Sequence, residues 1–206
     1  MYEINFDIYK FCDLTDEYVD QTAQLLNQEW STLDLIERKL RLEHSIVKNY
    51  KENELIMPVS LLLINTSTNK VIGHVSLYII TLLTDNNSLG SFMHVPYIGS
   101  VIIDKESRGK GLGFLLLEMA ENYLRLYRQQ DNVTIRNVNF NFVYLETEDK
   151  QKFYEAIGFL EIEPQCVIKK LNVKNVNENE FIEYEYETAV DTKMTWYTKS
   201  LDNVEK

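Results

Sequence analysis

The sequence predicts an α/β fold, in the broad sense that includes α+β, with one mixed central β-sheet and helices on both of its faces. Three observations lead to this prediction. Residues 112–129 carry apolar side chains at helical spacing over a long stretch. Short runs rich in β-branched and aromatic residues, such as 97–103 and 138–145, lie before and after that stretch. The chain has no internal repeat and no second core, so residues 1–206 are predicted to form a single domain.

The first half of the chain has the patterns of a strand, two helices and a hairpin. Residues 4–11 alternate apolar and polar side chains, as a half-buried strand does. Thr15 is a suitable N-cap for a first helix that extends to Trp30, and a second helix follows Ser31. A polar turn over residues 65–70 joins two apolar runs, which is typical of a hairpin. The two predicted hairpin strands are residues 59–64 and 71–80.

The second half alternates strands with helices. Residues 97–103 are apolar and β-branched, which is typical of a strand buried on both faces. A long helix over 112–129, a strand over 138–145 and a short helix over 150–156 follow, and Gly158 is placed to cap the short helix. The last two predicted strands are residues 159–163 and 194–199. The predicted order is therefore β-α-α-β-β-β-α-β-α-β-β.

A polar, acidic insertion separates the last two predicted strands. It covers about residues 169–193 and is rich in Asn, Glu and Lys. Two interpretations are open: a mobile loop, or a loop that contains a short extra strand near residues 181–186.

Composition and charge exclude several classes of function. The net charge of −11 argues against nucleic acid as a partner, because binding to phosphates needs clustered cations. The first ten residues lack the basic start and apolar run of a secretory signal, and the longest apolar stretch, residues 75–83, is too short to span a membrane. Cys12 and Cys166 have no metal-ligand spacing, so no metal site is expected. We predict reduced thiols and a cytoplasmic location.

The strongest chemical signal is a glycine-rich turn. Residues 108–113 read Arg-Gly-Lys-Gly-Leu-Gly and lie between a buried strand and the start of a long helix. A helix N-terminus offers unpaired N–H groups and a partial positive charge, and glycines let an anion approach the backbone closely. The spacing is not that of a dinucleotide fingerprint, because position 114 is Phe114, and no Lys-Ser/Thr pair completes a P-loop. The turn is therefore predicted to bind a phosphate-bearing ligand.

This Arg-x-x-Gly-x-Gly turn, together with the motif Phe-Tyr-x-x-x-Gly-Phe at residues 153–159, resembles the GNAT superfamily of N-acetyltransferases. The resemblance covers nearly the whole chain and implies acetyl-CoA as the co-substrate. Two positions depart from the common pattern, since Thr147 and Lys150 stand where many members have Asn and Ala; Lys150 either reaches the CoA phosphates or is a solvated lysine. The residues that the resemblance implies for acetyl-CoA binding are Ser100, Val101, Ile102, Ile103, Arg108, Gly109, Lys110, Gly111, Leu112, Gly113, Lys150 and Tyr154.

Tyr154 is the predicted catalytic residue. By the resemblance, the matching tyrosine in many members protonates the departing CoA thiolate. A phenol with a pKa of about 10 can donate to a thiolate whose acid has a pKa of about 8.5 if the site stabilises the phenolate slightly. The alternative is that Tyr154 is only a core aromatic residue on a short helix.

Within the superfamily, the chain is most similar to the family of actin N-terminal acetyltransferases. The similarity lies in residues 25–30, in the second helix and in residues 147–154, with a late tryptophan at Trp196. It implies the α-amine of an acidic protein N-terminus as the acceptor. With three prolines, the chain lacks the proline-rich insertion through which that family docks profilin. The residues implied for substrate binding are Trp30, Arg38, Arg41, His44, Ser45 and Tyr97.

Three functional alternatives stay open at this level. The cations of residues 37–51 are either a binding surface for acidic peptides or the solvated face of an amphipathic helix. The net charge of −11 is compatible with a small cationic amine, such as a polyamine, or a lysine side chain as the acceptor. A module that binds acetyl-CoA without turnover is the third alternative.

The general base is the least defined part of the predicted site. An α-amine has a pKa near 8 and needs only modest help to lose a proton. Gly99 and Ser100 provide no carboxylate on the central strand, so His94 and Tyr97 near its start are the candidates.

Overall fold

The computed structural model describes residues 3–46, 58–83, 92–129, 138–162, 167–174, 181–187 and 194–202. Four α-helices are present in these ranges: α1 Val19–Asn27, α2 Leu35–Ser45, α3 Leu112–Arg128 and α4 Gln151–Ala156. Short 3₁₀ helices lie at Asp16–Tyr18 and Lys105–Ser107. The strands are β1 Glu3–Phe6, β2 Tyr9–Asp13, β3 Val59–Asn65, β4 Lys70–Leu83, β5 Phe92–Ile103, β6 Phe142–Thr147, β7 Leu160–Ile162, β8 Val167–Lys174, β9 Phe181–Glu187 and β10 Thr195–Ser200.

The chain divides into two compact units. The first comprises Met1–Leu77 and Ile98–Asn132, and the second comprises Tyr78–Tyr97 and Val133–Lys206. Strands β4 and β5 contribute residues to both units.

The first unit is built on the antiparallel strands β1 to β4. β2 pairs with β3 through Phe11 and Leu63, and β3 pairs with β4 through Leu61 and Val75. Six consecutive residues of β3 are buried, so both faces of this strand are covered. Asp34 caps α2 by accepting a 2.8 Å hydrogen bond from the Glu37 N–H, which fixes where that helix begins. The core between helix α1 and the sheet consists mainly of Cys12, Leu14, Val19, Ala23, Leu26, Leu62, Ile64 and Val71.

The second unit contains the parallel part of the sheet. β5 pairs with β6 in parallel at Tyr97 and Tyr144, β6 pairs antiparallel with β10, and β10 pairs antiparallel with β7. Alternation along β6 buries Val143, Leu145 and Thr147 and leaves the intervening residues partly exposed. The opposite face of these strands carries an aromatic-rich cluster of Ile80, Leu82, Val95, Tyr97 and Trp196, against which Tyr78, Met93, Tyr144 and Ile162 pack.

The predicted fold class is confirmed, since the sheet is mixed and combines antiparallel ladders with the parallel pair β5–β6. Several boundaries differ. The predicted strand over residues 4–11 is two strands, because Asp7 has a φ of 46° and starts a two-residue turn that pairs Phe6 with Tyr9. The predicted strand from residue 97 begins at Phe92, and the first predicted helix is a 3₁₀ turn followed by α1.

The insertion contains a hairpin in the described part of the chain. β9 confirms the interpretation in which the insertion contains a short extra strand near residues 181–186. β8, which the sequence did not indicate, pairs with β9 from Ile168–Glu187 to Lys174–Phe181. β8 also pairs with β4 at Thr81 and Leu82. The remaining residues of the insertion, 175–180 and 188–193, are outside the described residues.

The described residues contain neither a membrane-spanning helix nor a cluster of metal ligands. Among the described residues, no helix combines the length and apolar character needed to cross a bilayer. In the same ranges, no three His, Cys, Asp or Glu side chains come together as a set of metal ligands.

Candidate active site

The glycine-rich turn of the first unit has the backbone conformation of an anion-binding loop. Gly109 and Gly111 both have a φ of +76°, a region that L-residues avoid. A Cβ built on either glycine meets nothing within 4 Å, so glycine is required here for conformation and not for space. Gly111 is the residue before α3, and the first N–H groups of α3 therefore have no helical acceptor. The turn fits a diphosphate, because it combines open space above the backbone with donors at a helix N-terminus.

Arg108 is held at this turn by two contacts. Its Nε donates to the Ile103 carbonyl oxygen at 2.9 Å, and its Nη2 forms an ion pair with the Glu29 carboxylate at 3.0 Å. Both side chains are partly exposed, so the ion pair is open to exchange with a ligand anion. Lys110 is exposed on the same turn.

The predicted pantetheine-binding stretch of β5 begins at an irregular residue. Ser100 has a φ of +51°, although it lies inside a strand and is not glycine. The Gly99 carbonyl accepts a 2.9 Å hydrogen bond from Ser76 Oγ, and the Ser100 carbonyl lies 3.0 Å from His74 Nδ1. Past this point, Ile102 is buried, and residues 101 and 103 are half-buried. Ser76 and His74 were not among the predicted site residues.

At position 73 on β4, glycine is required because there is no space for a side chain. A Cβ at this position would lie 2.9 Å from Ile103 Cδ1 and 3.1 Å from Leu63 Cβ. The strands on either side therefore approach closely at Ile103, and no larger residue fits without displacement of a neighbour.

Tyr154 is buried in the second unit. Burial, and then the nearby Asp149 charge, raise the pKa of Tyr154 to about 12. Its ring contacts the Phe159 ring edge-on at a centroid distance of 5.8 Å. The phenol therefore stays protonated at neutral pH and is a hydrogen-bond donor, but the raised pKa is opposite to the phenolate stabilisation that complete proton transfer requires. Lys150 forms an ion pair with the adjacent Asp149 and is half exposed.

An aromatic and carboxylate cluster surrounds Tyr97 in the second unit. The ring centroids of Tyr78 and Trp196 lie 4.8 Å and 5.8 Å from that of Tyr97. Burial first, and then the neighbouring Tyr78 and Glu146, hold the pKa of Tyr97 well above its usual value, and both neighbours are hydrogen-bonded to it. Because a carboxylate only accepts, the Tyr97 hydroxyl donates to Glu146. Tyr97 is thus a permanent donor and a poor base, and Glu146 is the carboxylate beside it.

Glu146 was not found from the sequence. It lies on β6 opposite Trp196 of β10, and strand pairing brings it to Tyr97 of β5. Glu146 is partly exposed and lies on the face of β6 opposite buried Leu145. The alternation of apolar and polar residues along β6 could have indicated that face. His94, the other predicted base, has its Nδ1 3.0 Å from Thr81 Oγ1, and its backbone carbonyl accepts from the Asn139 N–H.

The predicted substrate-binding residues of α2 differ in their surroundings. Arg38 is buried, and its guanidinium donates to the Asn27 side chain and to the Trp30 carbonyl, so it fastens the connection between α1 and α2. Arg41 is exposed and pairs with Glu37 at 2.6 Å. Ser45 Oγ donates to the Leu42 carbonyl, the Trp30 side chain is 38% exposed, and the side chain of His44 is outside the described residues.

Several solved acetyltransferases have the same fold. The ribosomal-protein-S5-alanine acetyltransferase from Vibrio fischeri matches with a TM-score of 0.57 and 14% identity over 100% of both chains. Arabidopsis thaliana NAA60, solved with a bisubstrate analogue, matches with a TM-score of 0.53 and 12% identity over 93% of this chain and 97% of that chain. The NatC complex bound to Gag peptide and CoA matches with a TM-score of 0.52 and 14% identity over 93% of this chain and 98% of that chain. At such identities the likeness shows the fold alone.

The family itself is shown by a direct match. The model of the acetyltransferase (GNAT) family matches residues 19–159, which is more than half of the chain. The matched region extends from α1 through the glycine-rich turn to the end of the second motif. This chain therefore belongs to the GNAT family and is an acetyl-CoA-dependent N-acetyltransferase.

Proposed function

We propose that the enzyme acetylates the α-amine of acidic, actin-like protein N-termini. The observation that carries this proposal is the pair of solvent-accessible cations on α2, Lys39 and Arg41, in a chain with a net charge of −11. Arg41 is the member most open to a ligand, with a side chain that is 46% exposed. Its ion pair with Glu37 contributes at most about 1 kcal/mol, so a substrate carboxylate can replace Glu37 on the guanidinium fork.

Structures of the same fold support a protein substrate. They include a ribosomal-protein-S5-alanine acetyltransferase and the NatC complex bound to a Gag peptide. We extend this class of acceptor to the present chain on the strength of the α2 cations. The cytoplasm stays the predicted compartment.

The second unit supplies a proton acceptor for the amine and a hydrogen-bond donor for the leaving thiolate. The amine nitrogen attacks the thioester carbonyl carbon, so that a C–N bond forms and the C–S bond breaks. We assign the proton leaving the amine to the Glu146 carboxylate, which the Tyr97 hydroxyl orients by donating to it. Tyr154 donates a hydrogen bond to the departing thiolate sulfur, which then takes a proton from solvent. These assignments leave Tyr97 and Tyr154 protonated throughout, in agreement with their raised pKa values.

In the first unit, the glycine-rich turn is the proposed site for the diphosphate of acetyl-CoA. The donors are the first N–H groups of α3 and the Arg108 guanidinium, and the positive φ at Gly109 and Gly111 keeps the backbone open to the ligand. Residues 101–103 are the proposed site for the pantetheine arm.

A small cationic amine is the second candidate acceptor. The net charge of −11 attracts cations, and structures of the same fold include an aminoglycoside 6′-acetyltransferase. This candidate predicts the opposite dependence on substrate charge.

A thiol-release assay over a panel of amines separates the two candidates. The panel contains peptides that begin with three acidic residues, peptides that begin with Met, basic peptides and spermidine, each with acetyl-CoA. We expect the acidic peptides to have the highest kcat/KM, by about tenfold or more over the basic peptides, since each tenfold step corresponds to about 1.4 kcal/mol. Faster turnover of spermidine or basic peptides would replace the proposal with the second candidate.

A pair of charge-matched variants tests the role of Arg41. Arg41→Glu is expected to raise KM for acidic peptides about tenfold or more, because it removes a cation and adds a repulsive charge. Lys39→Glu makes the same change in net charge two residues away on the same helix, where Lys39 pairs with Asp20 at 2.6 Å. An equal effect of both variants would point to the overall field of the protein and against a specific contact with Arg41.

A further inference from the structure

Ser100 has a backbone conformation that needs support from its surroundings. Its φ of +51° falls in the left-handed region, yet it is a β-strand residue with a Cβ. A strand normally avoids this conformation, because one residue in it interrupts the ladder and turns the following residues. The first-unit neighbours of Ser100 must therefore favour this conformation over the extended one.

Two side chains of β4 bind the carbonyl groups at this position. Ser76 Oγ donates to the Gly99 carbonyl at 2.9 Å, and His74 Nδ1 lies 3.0 Å from the Ser100 carbonyl. A carbonyl only accepts, so His74 is the tautomer with its proton on Nδ1. His74 Nε2, 3.2 Å from Ser60 Oγ, is then an acceptor for the buried Ser60 hydroxyl.

In the hydrogen-bonded chain Ser60–His74–Ser100, the first two residues are shielded from solvent, whereas Ser100 is exposed. His74 and Ser60 are buried, and burial lowers the pKa of His74 to about 4, so the ring is neutral at physiological pH. A polar side chain at this depth is costly unless its hydrogen bonds are satisfied, and both ring nitrogens of His74 are satisfied. The arrangement holds one specific backbone conformation at Ser100.

We propose that His74 and Ser76 are positioning residues for acetyl-CoA binding, because they hold the left-handed conformation of Ser100 and so set the direction of the N–H and C=O groups of residues 101–103. If Ser100 became extended, each following residue would shift by one position and its backbone groups would point to the opposite sides. The inference rests on the proposed role of residues 101–103 as the binding site of the pantetheine arm. Neither side chain needs to touch the ligand.

Substitutions of His74 and Ser100 test this proposal together. His74→Leu removes the donor to Ser100 and should weaken acetyl-CoA binding, measured by calorimetry, about tenfold or more. His74→Asn keeps a side-chain N–H near the position of Nδ1 and should stay within about threefold of the wild type. Ser60→Ala, which removes the other partner of His74 and leaves the Ser100 contact in place, is the matched control and should also stay within about threefold.

The decisive variant adds Ser100→Gly to His74→Leu. Glycine adopts a positive φ without strain, so the turned conformation no longer depends on His74. The double variant should recover most of the lost affinity, with Ser100→Gly alone as the reference. The proposal is overturned if His74→Leu weakens acetyl-CoA binding by the same factor in the Ser100→Gly background as in the wild type. In that case His74 acts only through core packing.

Amide hydrogen exchange of residues 99–103 gives a second measurement without ligand. His74→Leu should accelerate exchange there and the double variant should reverse the change. If His74→Leu does not fold, Ser76→Ala provides the same test through the Gly99 carbonyl. Unchanged exchange in every variant would reject the positioning role. If exchange changes as expected but the wild type does not bind acetyl-CoA, the role of residues 101–103 is rejected and the conformational effect of His74 stands.

Discussion

The two units of the molecule provide different kinds of functional group. In the first unit, the features predicted to bind acetyl-CoA belong mainly to the backbone: the positive φ angles of Gly109 and Gly111, the N-terminus of α3 and the backbone groups of residues 101–103, with the Arg108 guanidinium beside them. In the second unit, the groups proposed for catalysis are side chains: the Tyr97 hydroxyl, the Glu146 carboxylate and the buried Tyr154 phenol. We expect substitutions at the glycine-rich turn and at residues 100–103 to change mainly acetyl-CoA affinity, and substitutions of these three side chains in the second unit to change mainly kcat.

The largest effect is expected at Glu146. Glu146→Gln keeps the size of the side chain but removes the proposed proton acceptor, so kcat should fall about 100-fold at pH 7, while the Kd for acetyl-CoA changes by less than about twofold. The defect should shrink above about pH 9, because an α-amine with a pKa near 8 is then already neutral. Steady-state kinetics from pH 6 to pH 10 measure both effects.

Glu148→Gln is the control for this measurement, because it makes the same charge change at an exposed position two residues further on. A defect in Glu146→Gln that is independent of pH would show that Glu146 has a different role, such as packing against Trp196. A weaker acetyl-CoA Kd with normal kcat would contradict the division of roles between the units.

A smaller effect is expected at Tyr154. Because the pKa of Tyr154 is raised to about 12, its phenol is a hydrogen-bond donor over the whole working pH range. Tyr154→Phe should lower kcat about 10- to 30-fold, the size of a lost hydrogen bond to a charged group, without a matching loss of acetyl-CoA affinity. The wild-type pH–rate profile should have no step from this phenol below pH 10.

Tyr197→Phe separates catalysis from stability in that experiment. Tyr197 is fully buried in the same unit, its ring lies 6.2 Å from that of Tyr154, and its hydroxyl donates to Glu155 at 3.1 Å. Burial, followed by Glu155, raises its pKa to about 12 as well. If both Phe variants lose the same kcat, Tyr154 is only a core aromatic residue.

The difference between the units also explains what the sequence could predict. The glycine-rich turn is local, since six consecutive residues specify both the turn and the helix start, and short-range rules therefore located it. The cluster around Tyr97 is assembled from β4, β5, β6 and β10, and it depends on strand registers that no short pattern encodes. Glu146 was missed for this reason.

Two further residues have contacts that the local sequence does not indicate. The family resemblance implies substrate binding for Arg38, and its guanidinium donates to the Asn27 side chain and the Trp30 carbonyl, contacts that no local pattern indicates. Ser100 carries no sequence signal for a positive φ, because the conformation is stabilised by His74 and Ser76 from another strand. Residue type predicts what a side chain can do, and tertiary contacts decide which of these interactions it makes.

The smallest effect concerns the ion pair of Arg108 with Glu29 in the first unit. An incoming diphosphate must compete with Glu29 for the guanidinium, and an exposed ion pair contributes at most about 1 kcal/mol. Glu29→Gln should therefore tighten acetyl-CoA binding about two- to fivefold in calorimetry and leave kcat nearly unchanged. Glu106→Gln is the matched control, because this exposed carboxylate lies two residues before Arg108 but pairs with Lys70 at 4.0 Å. Equal tightening in both variants would assign the effect to the general field near the turn, and unchanged affinity in Glu29→Gln would mean that Arg108 does not exchange Glu29 for the ligand.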